Sequence, residues 1–294
     1  MMKSAHSSLM ARAGVAALIA GLSACSPAVE DDRAASPEPS AGTVEAAPTP
    51  DTTHDTPAPV AGEGDGEGEG GDGGEFGIDP AVAATDPIVY LTALEVMRAH
   101  YLAGMAAYDE GREAIGGTMF SHPISEIYID LEDVLIDLGA PEFYELLLET
   151  SRAPFQDASA EEVHSLVDQV LMAIDTASQH TPESELSEPA IQARVIANMA
   201  ERAALQYAFA AESEMKSGPY LDGFGFYRSA EEILSRHESA IAAVDADSAV
   251  RLRAVVDALA AAYPVATAPE QLGTDSDALV ALAQSAQDQV ATLN

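Results

Sequence analysis

The chain has 294 residues, of which 13 are basic and 49 acidic, so its formal net charge is −36 at pH 7. Such a charge argues against nucleic acid as a partner, because basic side chains supply the contacts to phosphate. The single cysteine rules out an internal disulfide. Cations and basic protein surfaces are the partners that the charge favours, with solubility of a secreted protein as the alternative reason for it.

Residues 1–24 have the form of a secretory signal peptide, with two basic residues before the short apolar run GVAALIAGLSA. The run ends in LSAC, which resembles the lipobox of bacterial lipoproteins. The resemblance implies cleavage before Cys25 and acylation of that cysteine, which anchors the protein to a lipid membrane. By the same resemblance, Ser26 implies the outer membrane, facing the periplasm. The alternative is an ordinary signal peptide that happens to precede a cysteine.

Residues 25–85 are predicted to be a lipidated cysteine followed by a disordered, acidic, Gly/Pro-rich tether. This stretch nearly lacks large apolar side chains and contains the run GEGDGEGEGGDGGEFG. Without apolar burial no packed core offsets the entropy of ordering the chain. Calcium binding by the acidic glycine run is the alternative function of this stretch, although its carboxylates show no fixed loop spacing.

Residues 86–294 are predicted to fold as one all-α domain, a bundle of seven to eight helices. Alanine is abundant, and apolar residues recur at helical spacing rather than alternating as in strands. We expect a break over Ala114–Phe120, which contains two glycines, and another at Ser217–Pro219. The predicted helices begin near Asp86, Ser121, Pro141, Ser159, Pro189, Arg228, Asp245 and Thr274.

A weak internal repeat at an offset of 106 residues indicates two hairpin halves. It pairs Tyr101 with Tyr207, Phe120 with Phe226, and Glu126 with Glu232. Chance matching in a helix-rich chain is the alternative explanation.

The segment FSHPISEIYIDLEDVLIDLG holds the candidate metal ligands His122 and Glu126, which lie four residues apart on one helix. His100 lies on the preceding helix, about ten residues before the turn. A short connection should return the second helix antiparallel to the first, bringing His100 towards this pair. Two imidazoles and a carboxylate form a ligand set for iron, copper or zinc.

The alternative is structural. In that interpretation His122 caps the second helix, Glu126 complements the electropositive helix N-terminus, and His100 is a hydrogen-bonded interface residue. The positive end of a helix also disfavours a bound cation. Ile129 falls on the same side of the predicted helix as His122, as does Ile136, which predicts a second packed face there.

The segments AHYLAGMAAYDEG…FSHPISEIYIDLEDVL and LQYAFAAESEMKSGPYLDGFGFYRSAEEIL resemble the extracytoplasmic helical domains that accompany high-affinity iron permeases. The helical-hairpin layout is also similar to that of imelysin-like periplasmic iron proteins. The resemblance implies a helical fold, an extracytoplasmic location and iron or copper handling. The imelysin-like motif is GxHxxE, whereas here Phe120 replaces the glycine and the acid follows His122 by four residues.

Two functions therefore follow from the sequence. The first is a lipid-anchored protein that binds or delivers iron or copper near a membrane transporter through His100, His122 and Glu126. The second is a non-enzymatic envelope interaction or structural lipoprotein without a ligand. This function predicts an exposed aromatic patch at Tyr220, Phe224, Phe226 and Tyr227. The alternative is that these side chains fill the core. We find no nucleophile–base pair, no phosphate-binding glycine loop and no HExxH zinc motif, so no catalytic residue is assigned.

Overall fold

The structure is a computed structural model that describes residues 78–294. The predicted signal peptide, Cys25 and most of the predicted tether lie outside the described residues. The helices are α1 (Pro80–Ala83), α2 (Pro87–Asp109), α3 (Glu113–Pro123), α4 (Ile129–Asp137), α5 (Tyr144–Arg152), α6 (Ala160–Ala177), α7 (Glu188–Glu212), α8 (Ser217–Val244), α9 (Ala246–Ala262) and α10 (Ser276–Val290). A π-helical turn (Ile124–Tyr128) joins α3 to α4, and a 3₁₀ turn (Ala153–Phe155) follows α5.

The predicted all-α fold is confirmed. Residues 78–294 contain no β-strand, and Ile78 alone forms an isolated β-bridge. Helix α1 lies at the end of the stretch predicted as tether, and Ile78 and Ala83 are both buried. Packed structure thus begins before Asp86. None of the helices within residues 78–294 has the length and apolar character needed to span a bilayer.

Side-chain caps fix several of the helix starts that the sequence predicts. Asp86 accepts a hydrogen bond from the backbone N–H of Ile88 and precedes Pro87, which is suited to the first helical position. Ser159 and Glu162 form a reciprocal capping box at the start of α6. Asp245 likewise caps α9 by accepting from the N–H of Ser248.

The break predicted over Ala114–Phe120 is wrong, because this stretch belongs to α3. Its glycines serve close packing of helices and not a turn. A Cβ atom added to Gly116 would lie 2.6 Å from the carbonyl oxygen of Gly104 on α2, and one added to Gly104 would lie 2.6 Å from the Phe120 ring. The true turn lies earlier, at Gly111, whose φ is +77°.

The break predicted at Ser217–Pro219 is also misplaced, since the chain turns at residues 213–216 and α8 begins at Ser217. The glycine-aromatic segment GPYLDGFGFY is therefore helical. A Cβ atom added to Gly225 would lie 2.3 Å from the carbonyl oxygen of Ala99, so α8 contacts the backbone of α2. One added to Gly223 would lie 1.9 Å from the hydroxyl oxygen of Tyr263.

The core is centred on three long helices. α7 and α8 form an antiparallel hairpin, α2 packs against both, α3 packs on α2, and α10 closes the other side against α7 and α9. Buried tyrosines fill much of the volume between them, and their hydroxyl groups reach backbone carbonyls, as in the 2.7 Å bond from Tyr263 to Ala203. These bonds satisfy polar groups that would otherwise be buried at a cost.

The two hairpins α2–α3 and α7–α8 correspond to the halves of the predicted repeat. Asn198 donates a 3.1 Å hydrogen bond to Thr92, a residue exactly one repeat offset away in the chain. Equivalent residues contact each other only near an axis that relates two copies. Duplication of the hairpin remains a prediction.

Two glycines of α8 provide a matched test of the close approach between α8 and α2. Replacing Gly225→Ala should lower the free energy of unfolding by about 1–3 kcal/mol, since the new methyl group meets backbone that cannot move aside. Gly218→Ala, with nothing within 4 Å, should leave stability unchanged or raise it by about 0.5–1 kcal/mol. Urea denaturation of both variants checks this, and equal stabilities would contradict the packing.

Candidate metal centre

The α2–α3 hairpin brings the three predicted ligands together. A ring nitrogen of each histidine and a carboxylate oxygen of Glu126 all lie within 4.8 Å of one another. His100 Nε2 is 3.8 Å from Glu126 Oε2, and His122 Nδ1 is 3.9 Å from Glu126 Oε1. The two imidazole ring centres are 5.7 Å apart. Among residues 78–294 this is the one group of three or more His, Cys, Asp or Glu side chains with such geometry.

His100 is the fixed member of the group. Its side chain is only 1% exposed, and its Nδ1 lies 2.8 Å from the carbonyl oxygen of Val96, one turn earlier on α2. A carbonyl only accepts, so Nδ1 carries the hydrogen of that bond. In the neutral ring Nε2 then holds the lone pair, on the side of Glu126. Metal-binding histidines are commonly oriented by such a bond to a carbonyl.

The other two ligands lie where the site meets solvent. The side chains of His122 and Glu126 are 34% and 33% exposed. On the inner side the edge of the Phe226 ring packs against His100, with ring centres 6.2 Å apart. The site is thus closed by an aromatic ring on one side and accessible to water on the other, which gives an ion a route to it.

Glu126 lies within the π-helical turn, which begins directly after Pro123. Proline has no N–H to donate to the preceding turn, and its ring clashes with the carbonyl four residues earlier. The turn after Pro123 is wider than a regular α-helical turn, and in it the N–H of Ile129 donates to the carbonyl oxygen of Ile124. Such a turn holds one extra residue and occurs often at functional sites.

The wide turn also explains why one helical wheel drawn through α3 and α4 gives the wrong position of His122 relative to the buried face of α4. One extra residue rotates the buried face of α4 by about 100° relative to α3. The rotation carries that face towards the side of His122, whereas an unbroken helix would leave the two on opposite sides. The predicted second packed face is wrong, since Ile129 and Ile136 are 55% and 47% exposed.

The structural alternative for His122 fails in one respect. Helix α3 begins at Glu113, so His122 lies in its last turn and does not cap its start. The electropositive N-terminus that would oppose a cation is therefore more than two turns away. His100 does keep the hydrogen-bonded interface position that the alternative assigned to it.

The remaining histidines of the described chain lie apart from this site. His164 pairs with Asp109 at 3.0 Å, and His180 contacts the carbonyl of Leu138 at 3.3 Å. His237 lies 3.8 Å from Glu188. Burial lowers the pKa of His237, because desolvation disfavours the charged ring.

Sequence reasoning missed a buried ionic network beside the site. Glu95 is 7% exposed and accepts a 2.7 Å hydrogen bond from Ser229 of α8. Arg98 is also buried, lies 3.0 Å from Glu95 and bridges to Asp175 of α6. The signal available in the sequence was an acid and a base three residues apart within the apolar stripe of α2.

The network extends along α8 to two further charged residues. Arg236 lies 3.6 Å from Asp175, and burial raises the pKa of the Glu232 carboxyl, because desolvation disfavours its charged form. The network therefore ties α2, the helix that carries His100, to α6 and α8.

The aromatic segment predicted as an exposed patch is buried instead. Tyr220, Phe224, Phe226 and Tyr227 are all core residues, with exposures from 0% to 7%. This confirms the interpretation that these side chains fill the core. The envelope-interaction function therefore has no support from this segment.

Comparison of the chain with protein-family models, curated proteins and solved structures gave no match. The site is therefore defined by its own geometry, and the family resemblances drawn from the sequence remain expectations.

The buried network generates a prediction about stability. Arg98→Met should lower the free energy of unfolding by about 3 kcal/mol, because it leaves the Glu95 carboxylate buried without its nearest cation. Adding Glu95→Gln to that variant should recover part of the loss. Arg251→Met, at an exposed arginine, is the control and should change stability by less than about 0.5 kcal/mol. Chemical denaturation measures all three, and equal losses for the two arginines would contradict the network.

Proposed function

We propose that this protein is a lipid-anchored, extracytoplasmic helical protein that binds a transition metal ion and delivers it near a membrane transporter. The observation that carries the proposal is the convergence of His100, His122 and Glu126, from two helices, on one point that solvent can reach.

The chemistry of the donor set selects the class of metal. Imidazole nitrogens suit iron, copper and zinc, and one carboxylate gives the neutral imidazole pair a single negative charge. Hard cations such as magnesium and calcium prefer sites made of oxygen ligands. Iron or copper remains our first assignment, because the sequence resemblance to periplasmic iron proteins points in the same direction.

The three side chains must move closer together to hold an ion. Metal–ligand bonds near 2.1 Å place neighbouring ligand atoms about 3.3–3.5 Å apart in a tetrahedral site. Here His100 lies 3.8 Å from one oxygen of Glu126 and His122 lies 3.9 Å from the other oxygen, and the three candidate ligand atoms lie within 4.8 Å of one another. Binding therefore requires movement of about 1 Å or more, which the two half-buried side chains can make more easily than the buried His100.

Three protein ligands leave at least one coordination position for water or for a donor from another molecule. An incomplete ligand shell on an accessible edge favours exchange of the ion over permanent storage. This is the property expected of a delivery protein.

The spacing of the candidate pair differs from that of the motif that suggested iron. His122 precedes the wide turn and Glu126 lies inside it, four residues further along the chain, whereas the GxHxxE motif of imelysin-like proteins has a spacing of three. Phe120, in place of the motif glycine, stacks on Tyr101 with ring centres 5.6 Å apart.

A proton is the alternative occupant. An imidazolium at His100 would also satisfy the Glu126 carboxylate, and no metal would then be needed. Metal titration separates the two possibilities.

The purified protein should bind Co²⁺, Cu²⁺ and Fe²⁺ with a stoichiometry of about one, measured by calorimetry and by the visible spectrum of bound Co²⁺. His100→Ala/His122→Ala should weaken binding by at least about a hundredfold, since it removes two of three ligands. The matched control His164→Ala/His180→Ala removes the same number of imidazoles elsewhere and should bind as the wild type does. Equal binding by all three proteins would end the proposal.

The membrane anchor has its own test. In bacterial cells the full chain should incorporate labelled palmitate and fractionate with the outer membrane, because Cys25 ends the segment LSAC, which resembles a lipobox. Cys25→Ser should lose both the label and the membrane association, whereas Ser26→Ala should keep the label. Label retained in the Cys25→Ser variant would show that Cys25 is not the site of acylation.

A further inference from the structure

The solvent face of α4 is acidic and carries two exposed isoleucines. Ile129 and Ile136 lie seven residues apart, and so on one side of the helix, at 55% and 47% exposure. Asp130, Asp133 and Asp137 surround them and are exposed as well. We refer to these five residues as the α4 face.

The charge around the α4 face is of one sign over a long stretch. Residues 113–151 contain α3, α4 and all of α5 except its last residue, Arg152. This stretch has nine acidic residues and no lysine or arginine. Within the described chain, no ion pair joins the aspartates of the α4 face to a basic side chain. The negative charge around these exposed apolar side chains repels acidic molecules and attracts basic ones.

Several occupants are disfavoured by charge alone. Residues 26–77 of the same chain contain a single basic residue, Arg33, so this segment offers no complement. A two-fold dimer through the α4 face would oppose aspartate to aspartate. Anionic lipid and nucleic acid are repelled for the same reason.

We infer that the α4 face is a docking surface for another protein, and that the docking segment is a basic amphipathic helix. Apolar side chains one or two turns apart on that helix would cover Ile129 and Ile136. Lysines or arginines beside them would meet the three aspartates.

The α4 face lies next to the candidate metal centre in the chain. The purpose of docking at this face rests on the proposed function. Ile129 follows Glu126, the exposed ligand of the candidate metal centre, by three residues. A partner docked here would hold its own donor groups next to the open coordination position. The partner class is therefore an acceptor protein, such as a transporter domain, that presents a basic helix.

The test uses a fluorescent synthetic peptide, a 14-residue Leu/Lys helix with leucines on one face, and the full-length protein without added metal. Fluorescence anisotropy should show saturable binding that weakens as salt rises. A scrambled peptide of the same composition, without an apolar face, should bind at least about tenfold more weakly. Hydrogen exchange should slow in residues 129–137 when the amphipathic peptide is bound.

Variants locate the surface. Ile129→Gln/Ile136→Gln and, separately, Asp130→Asn/Asp133→Asn should each weaken binding of the amphipathic peptide by about tenfold or more. Val244→Gln/Val250→Gln, which changes another exposed apolar pair, is the matched control and should bind as the wild type does.

The outcomes separate this inference from the metal proposal. His100→Ala/His122→Ala should bind the peptide normally, so loss of metal binding leaves the docking result intact. Equal affinity of the α4-face variants and the control pair, or equal binding of the scrambled peptide, would overturn the docking surface while leaving the metal centre untouched.

Discussion

The close approach of α2 to two neighbouring helices is the constraint on which the rest of the structure depends. Glycines allow it on both sides, with Gly104 facing α3 and Gly225 pressed against the backbone of α2 at Ala99. Larger side chains at these positions would clash with the neighbouring helix and push it away from α2. Because α2 is held tightly, the His100 side chain has a fixed position. It lies between the Phe226 ring and the turn that carries Glu126. The candidate site is thus a consequence of packing between backbones.

The ionic network around Arg98 acts on the same helix by a different force. Buried charges are costly unless they are paired, and they therefore fix which partners a helix faces. Glycine contacts determine how near α2 lies to α3 and α8. The ion pair of Arg98 with Asp175 fixes the register of α2 against α6, and the hydrogen bond from Ser229 to Glu95 fixes it against α8. Together they hold His100, the candidate ligand on α2, in place with little freedom.

The sequence predicted the fold class and most helix ends, because these depend on local signals. It also predicted that the three candidate ligands converge, because a short connection returns α3 along α2. Asp86 with Pro87 and the box of Ser159 with Glu162 are caps that act within one turn. The failures involve glycines that are needed by distant residues. Gly116 and Gly223 resemble turn residues in the sequence, whereas their actual function is to admit a neighbouring helix, and nothing nearby in the chain reveals that neighbour.

The wide turn at Ile124–Tyr128 divides the site into a stationary part and an adjustable part. His100 stands on a straight, buried helix, whereas Glu126 belongs to a backbone segment with an irregular hydrogen-bond pattern at the edge of the molecule. If the site binds an ion as proposed, uptake and release require rearrangement of a few peripheral atoms only. The interior of the bundle would not need to open, so the rate of exchange would depend on this short segment and not on the stability of the whole domain.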